Sequence, residues 1–195
     1  LIATGRPFQF RQGLDERLLA QNRRGEEMAK KLSSANYHGD FIFAFDKWFD
    51  RKLIEKALKI WKFYCPKKET KFYLFCGFQQ APTDDKKFQL DIAEIFMRIC
   101  VLMRYGCLGY IMRHEDYHKA PLPNIYVQIA RWCNQPGFYR NLSFWQFCYK
   151  NQTYWEEHTL GIKHDRLKTY EEFMEDYKNG YYNEVTMTTP LKSIF

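Results

Sequence analysis

The chain has 195 residues, nearly half of them hydrophobic and 18% aromatic, with a formal charge of +7. That length suits one domain with a proper core, and the composition excludes an intrinsically disordered chain. No apolar run approaches the ~20 residues that span a bilayer and no signal-peptide pattern opens the sequence, so a cytoplasmic protein that does not enter the membrane is expected. Lys and Arg are spread along the chain. The charge therefore allows a nucleic-acid partner without marking a site for one.

Taken in chain order, Phe8–Phe10 reads as a strand that closes at Gln12-Gly13, and 14–32 reads as helical with Gly25 as a weak point or break. Phe41–Phe45 is a continuous apolar run ending at Asp46, the pattern of a strand buried on both faces. The next helix has Asp50 as its N-cap, Phe49 and Ile54 as a hydrophobic staple, and Pro66 just past its end. Lys71–Cys76 is a strand ending at Gly77-Phe78, and a helix over 85–105 follows, closed by Gly106 as a C′ residue. Leu108–Met112 is a fourth strand ending in Arg113-His114-Glu115. A helix after Pro121 and Pro123 runs through Trp132. Ser143 with Gln146 and Thr169 with Glu172 form capping boxes of two later helices.

Four strand–helix units in alternation predict an α/β fold with parallel strands. In such folds ligands sit beyond the carboxyl ends of the strands. That rule selects Gln12, Asp15 and Arg17; Asp46 and Lys47; Gly77, Phe78 and Gln79; and Arg113, His114 and Glu115. Any one of these could instead be a cap or a solvated turn residue. The rule supports the clusters jointly.

These strand ends resemble a known family. Arg11-Gln12-Gly13-Leu14-Asp15-Glu16-Arg17-Leu18, Ala44-Phe45-Asp46, Phe72–Gly77, Gly109–Arg113, Ala130–Asn134 and Ser143–Trp145 are similar, in order and spacing, to motifs of radical S-adenosylmethionine enzymes of anaerobic bacteria and phages. The resemblance covers about residues 8–150. It implies the last four strands of a partial (β/α)6 TIM-like barrel over 1–150, with a helical and irregular extension over 151–195. It also implies a [4Fe-4S] cluster and S-adenosylmethionine in the parent protein, where reductive cleavage gives a 5′-deoxyadenosyl radical. By family pattern, Asp46 faces the ribose and Gly77 and Met112 flank the adenine. Gln12, Asp15 and Arg17 point toward methionine or substrate, with Lys47, Gln79, Arg113, His114 and Glu115 as substrate-lining candidates. The cluster-binding CxxxCxxC is missing. The expectation is therefore a C-terminal portion that binds no cofactor alone, whose catalytic residues cannot be assigned. Its open edge at the first strand would pair with the missing N-terminal half or self-associate.

Two other readings compete. His114-Glu115-Asp116-Tyr117-His118 matches H-E-x-x-H, which on a helix binds zinc for peptidase chemistry. Here it follows a strand directly, and Pro121 leaves little room for a helix. A non-catalytic module binding nucleic acid or a protein partner is the other alternative. The six cysteines, at 65, 76, 100, 107, 133 and 148, lack metal-ligand spacing and read as reduced core thiols.

Overall fold

A computed structural model describes residues 2–10, 12–78, 84–142, 144 and 147. Gln79, Cys148, the Ser143–Gln146 capping box, the Thr169–Glu172 capping box and the extension over 151–195 lie outside them.

One three-stranded parallel sheet carries the fold, with β1 (Phe41–Ala44), β2 (Thr70–Cys76) and β3 (Leu108–Arg113) side by side in that order. Helices α2 (Arg51–Tyr64) and α3 (Asp85–Arg104) connect them. Helix α1 (Asn22–Ser33) precedes the sheet, and α4 (Pro123–Cys133) and α5 (Pro136–Asn141) follow it. The mixed α/β class and the alternation of parallel strands with helices are as the sequence predicts. Among the described residues no helix is long and apolar enough to cross a membrane.

The expected first strand is not a strand. Residues 8–14 touch their neighbours through two isolated parallel bridges, Phe8 to Tyr37 and Leu14 to Phe43. The reason is a side chain in the ladder's place. The Tyr37 hydroxyl accepts from Phe10 N at 3.0 Å and donates to Phe10 O at 3.2 Å, so both backbone groups of Phe10 are satisfied without a partner strand. The helix expected from residue 14 begins late, after a 3-10 turn over Glu16–Leu18. Gly25 is not a break. It is buried inside α1, and a Cβ there would stand 2.0 Å from the Leu19 carbonyl oxygen, so glycine permits a close backbone approach.

β1 is buried on one face only: Phe41 and Phe43 are buried while Ile42 and Ala44 are half-buried. The staple is also overturned. Phe49 is 93% exposed, and Asp50 makes no side-chain cap bond, because a 3-10 turn over Trp48–Asp50 already feeds α2. The end of α3 follows expectation. Gly106, at φ +62°, and Cys107 return their amides to the carbonyls of Met103 and Leu102, the two bonds of a Schellman motif.

The chain divides into two compact units, 1–74 with 101–110, and 75–100 with 111 onward. In the first, Trp61 of α2 packs edge-on against Phe41 and Phe43, and Tyr37 stacks on Phe41 at 4.0 Å. The indole N–H of Trp61 donates to Thr70 Oγ1 at 2.9 Å, which satisfies two buried polar groups together. In the second, Phe88, Ile92 and Phe96 of α3, Ile125, Tyr126, Ile129 and Trp132 of α4, and Phe144 and Phe147 are buried. Asn134 acts there as a one-residue strand: its side chain accepts from Ile111 N at 2.6 Å and donates to Ile111 O at 3.2 Å.

Candidate functional site

In the first unit, the carboxyl end of β1 and the 3-10 turn beside it enclose a cleft of about 380 Å³. Gly13, Leu14, Asp15, Glu16, Arg17, Ala44, Asp46, Lys47 and Asp50 line it. Two anchors build it. Leu14 N donates to Ile42 O at 2.6 Å, holding the turn against β1, and Phe45 N donates to Tyr73 O at 2.8 Å, fixing the exit of β1. Gly13 lies where any side chain would meet the Phe43 backbone at 3.5 Å.

Four carboxylates and two cations face this space. Arg17 folds onto Asp15 through two charge-assisted bonds, Nε to Oδ1 and Nη2 to Oδ2, each 2.8 Å. That partner holds the Asp15 carboxyl below its usual range against a small opposing effect of burial. Both side chains are exposed, so the pair contributes little to stability. Glu16 differs from its neighbours. It is only 9% exposed, and burial pushes its carboxyl up to about 7, with the backbone amides of Glu16 and Ala44 pulling the other way.

In the second unit, the ends of β2 and β3 carry another polar group. Gly77, at φ +70°, donates its amide to Asp91 Oδ2 at 2.9 Å, and Tyr126 donates its hydroxyl to the same oxygen at 2.7 Å. A Cβ on Gly77 would stand 2.8 Å from the Tyr117 Cβ. Arg98, also on α3 and buried, donates to Phe75 O at 3.0 Å. His114 sits edge-on to Phe75 and to the exposed Phe78, and Arg113 lies 4.6 Å over the Tyr117 ring.

Of the residues selected from the sequence, the cleft gathers Asp15, Arg17, Asp46 and Lys47. Gln12 is exposed and is not among its lining residues, because the turn reaches β1 only at Leu14. Gly77, Arg113 and His114 belong to the second unit, with Met112 and Glu115 exposed there. Glu16, Asp50 and Asp91 were missed. Glu16 reads as an ordinary acid of a helical first turn, Asp50 as the N-cap of the next helix, and Asp91 as one more polar position on a long helix.

The H-E-x-x-H pair does not share a helix face. Glu115–Lys119 is a 3-10 turn with His114 as its N-cap. His114 Nδ1 accepts from Asp116 N at 3.1 Å, and His118 Nδ1 lies on the Glu115 carbonyl. Among the described residues no group of three His, Cys, Asp or Glu is placed to hold a metal ion. Cys65, Cys76, Cys100, Cys107 and Cys133 are buried and none is in a disulfide, as expected of core thiols. Comparison with family models, with curated proteins and with solved structures returns no significant match.

Proposed function

We propose that the chain is part of a radical S-adenosylmethionine enzyme and that the cleft beyond β1 receives S-adenosylmethionine. The supporting observation is the lining itself. A space of about 380 Å³ is within the range of small-molecule sites, lies at the carboxyl end of a strand of a parallel sheet, and holds more carboxylates than cations. An S-adenosylmethionine molecule brings a sulfonium, an ammonium and two ribose hydroxyls, which carboxylates bind well. Asp46 takes the ribose hydroxyls, and Glu16 and Asp50 face the cationic end. Arg17 is turned onto Asp15 and presents the free side of its guanidinium to the methionine carboxylate. Bound S-adenosylmethionine supplies an activated carbon–sulfur bond; these residues bind it and orient it.

The [4Fe-4S] cluster of the family does not fit this chain. The six cysteines of the sequence are at least seven positions apart, the five described ones are buried, and no described group offers three ligands. Thiolates for a cluster would have to come from another part of the parent protein.

Calorimetric titration with S-adenosylmethionine tests the reading. Saturable binding that weakens about tenfold in Asp46→Asn, the loss of one charge-assisted hydrogen bond, supports it. No binding by a folded protein, or binding equal in wild type and Asp46→Asn, refutes it.

A further inference from the structure

Glu16 is unlike every other carboxylate of the cleft. It lies nine-tenths buried on the wall of the cavity, and no side-chain donor meets it among the described residues; only the amides of Glu16 and Ala44 reach its carboxyl. An acid in that position has lost most of its water, and the cation that acts on it, Arg17, is already bound to Asp15. Such a group keeps its proton to a higher pH than an exposed acid, and an arriving cation favours its ionised form.

The surrounding charges leave the wall with more acids than bases. On its own turn, Arg17 is bound to Asp15 through two of its three guanidinium nitrogens. From the chain after β1, Asp46 and Lys47 face the cleft, and Lys47 is exposed to solvent. From the start of α2, Asp50 adds a further negative charge, while Arg51 is turned onto the Trp48 ring at 4.9 Å. The acids outnumber the bases four to two along the wall, and one of the two bases is already paired.

We propose that the cleft is a site for an organic cation, an ammonium or a sulfonium, and that Glu16 meets its charge by giving up a proton to solvent as the ligand enters. The choice of sulfonium rests on the S-adenosylmethionine reading; the proton release does not. Below pH 7 the balance is simple: one cation enters, one proton leaves, and the charge of the site with its ligand is unchanged; above pH 7 the carboxyl is already ionised and little proton is released. A neutral ligand of the same shape gains nothing from Glu16.

The consequence is a pH-dependent affinity. A carboxyl titrating near 7 is ionised in about one molecule in eleven at pH 6 and in about ten of eleven at pH 8. A cation that needs the ionised form therefore binds about tenfold more tightly at pH 8 than at pH 6. In Glu16→Gln the dependence disappears.

The test is carbon-detected NMR of glutamate-labelled protein, with the Glu16 carboxyl assigned by its absence in Glu16→Gln. Its titration is followed alone, with trimethylsulfonium, and with S-adenosylmethionine. The expected result is a midpoint near 7 in the free protein that falls by about one pH unit as trimethylsulfonium is added. A midpoint in the ordinary carboxylate range, or one that trimethylsulfonium leaves in place, overturns the proposal. A shift with trimethylsulfonium but no binding of S-adenosylmethionine keeps the cation site and removes the cofactor assignment. The backbone amide of Ala44, which faces the same carboxyl, provides a second reading of the midpoint, independent of the label.

Discussion

Gly25→Ala should be among the most damaging single-methyl changes in the first unit. In an exposed helix interior the same change gains about 1 kcal/mol, because alanine is the better helix former. Here the added Cβ would stand 2.0 Å from the Leu19 carbonyl oxygen and 2.6 Å from its carbon. Both are backbone atoms, so no rotamer relieves the contact. Reaching ordinary van der Waals distance requires the 3-10 turn and α1 to part by more than an ångström. Overpacking of this kind costs about 1–3 kcal/mol, and the rigid partner argues for the upper end. Set against the propensity gain, the net loss is about 2 kcal/mol. In urea that is a fall in midpoint near 1 M at unchanged slope.

Gly137→Ala is the matched control. It also lies in a helix, and nothing stands within 4 Å of the added methyl, so it should be neutral or stabilising by up to about 1 kcal/mol. The two variants are compared by urea unfolding followed by circular dichroism. A Gly25→Ala midpoint equal to or above that of Gly137→Ala would refute the close approach of α1 to the turn. The strain also reaches the cleft. Leu19 N donates to Glu16 O at 2.9 Å, so displacing Leu19 drags on the turn that carries Glu16, and the variant should lose ligand affinity as well as stability.

Two more outcomes follow from the second unit and the buried thiols. Asp91→Asn retains one acceptor for the two donors at Gly77 and Tyr126 and should cost about 1–3 kcal/mol; Tyr126→Phe should cost about 1 kcal/mol, and the double variant less than their sum, with additive unfolding energies arguing against a shared oxygen. Burial raises the Cys65 and Cys107 thiols to about 11 and Cys76 to about 12, and pushes Cys133 up as well. Alkylation at pH 8 with peptide mapping should label these four at least a hundredfold more slowly in native than in urea-unfolded protein. Rapid labelling of any of them would show that its burial is wrong.

Much of the scaffold was legible in the sequence because it obeys local rules. The apolar runs at Phe41 and Phe72, the amphipathic face of α2, the glycine after α3 and the proline at the start of α4 each name their element within a residue or two. The failures have a common cause, which is a distant residue overriding a local pattern. The strand-like Phe8–Phe10 is diverted by the hydroxyl of Tyr37. Gly25 looks like a break until Leu19 is seen against it. Helix α5 was not foreseen, although proline at residue 136 is well suited to a first helical position. Four members of the cleft were legible from the strand-end rule. Glu16 was not, since nothing in Asp15-Glu16-Arg17 indicates which charged residue faces inward.

The placement of the tryptophans has a use beyond packing. Trp61 is held edge-on between Phe41 and Phe43 with its N–H on Thr70 in the first unit. Trp132 is clamped by Tyr139 and Phe144 with its N–H on Leu142 O in the second. Each indole is buried, hydrogen-bonded and surrounded by rings at fixed angles, the setting that gives a chromophore an asymmetric near-ultraviolet signal. The chain therefore carries a separate spectroscopic label in each unit. Replacing one of these tryptophans by phenylalanine removes its own contribution, and the difference from wild type follows the melting of that unit without any added dye.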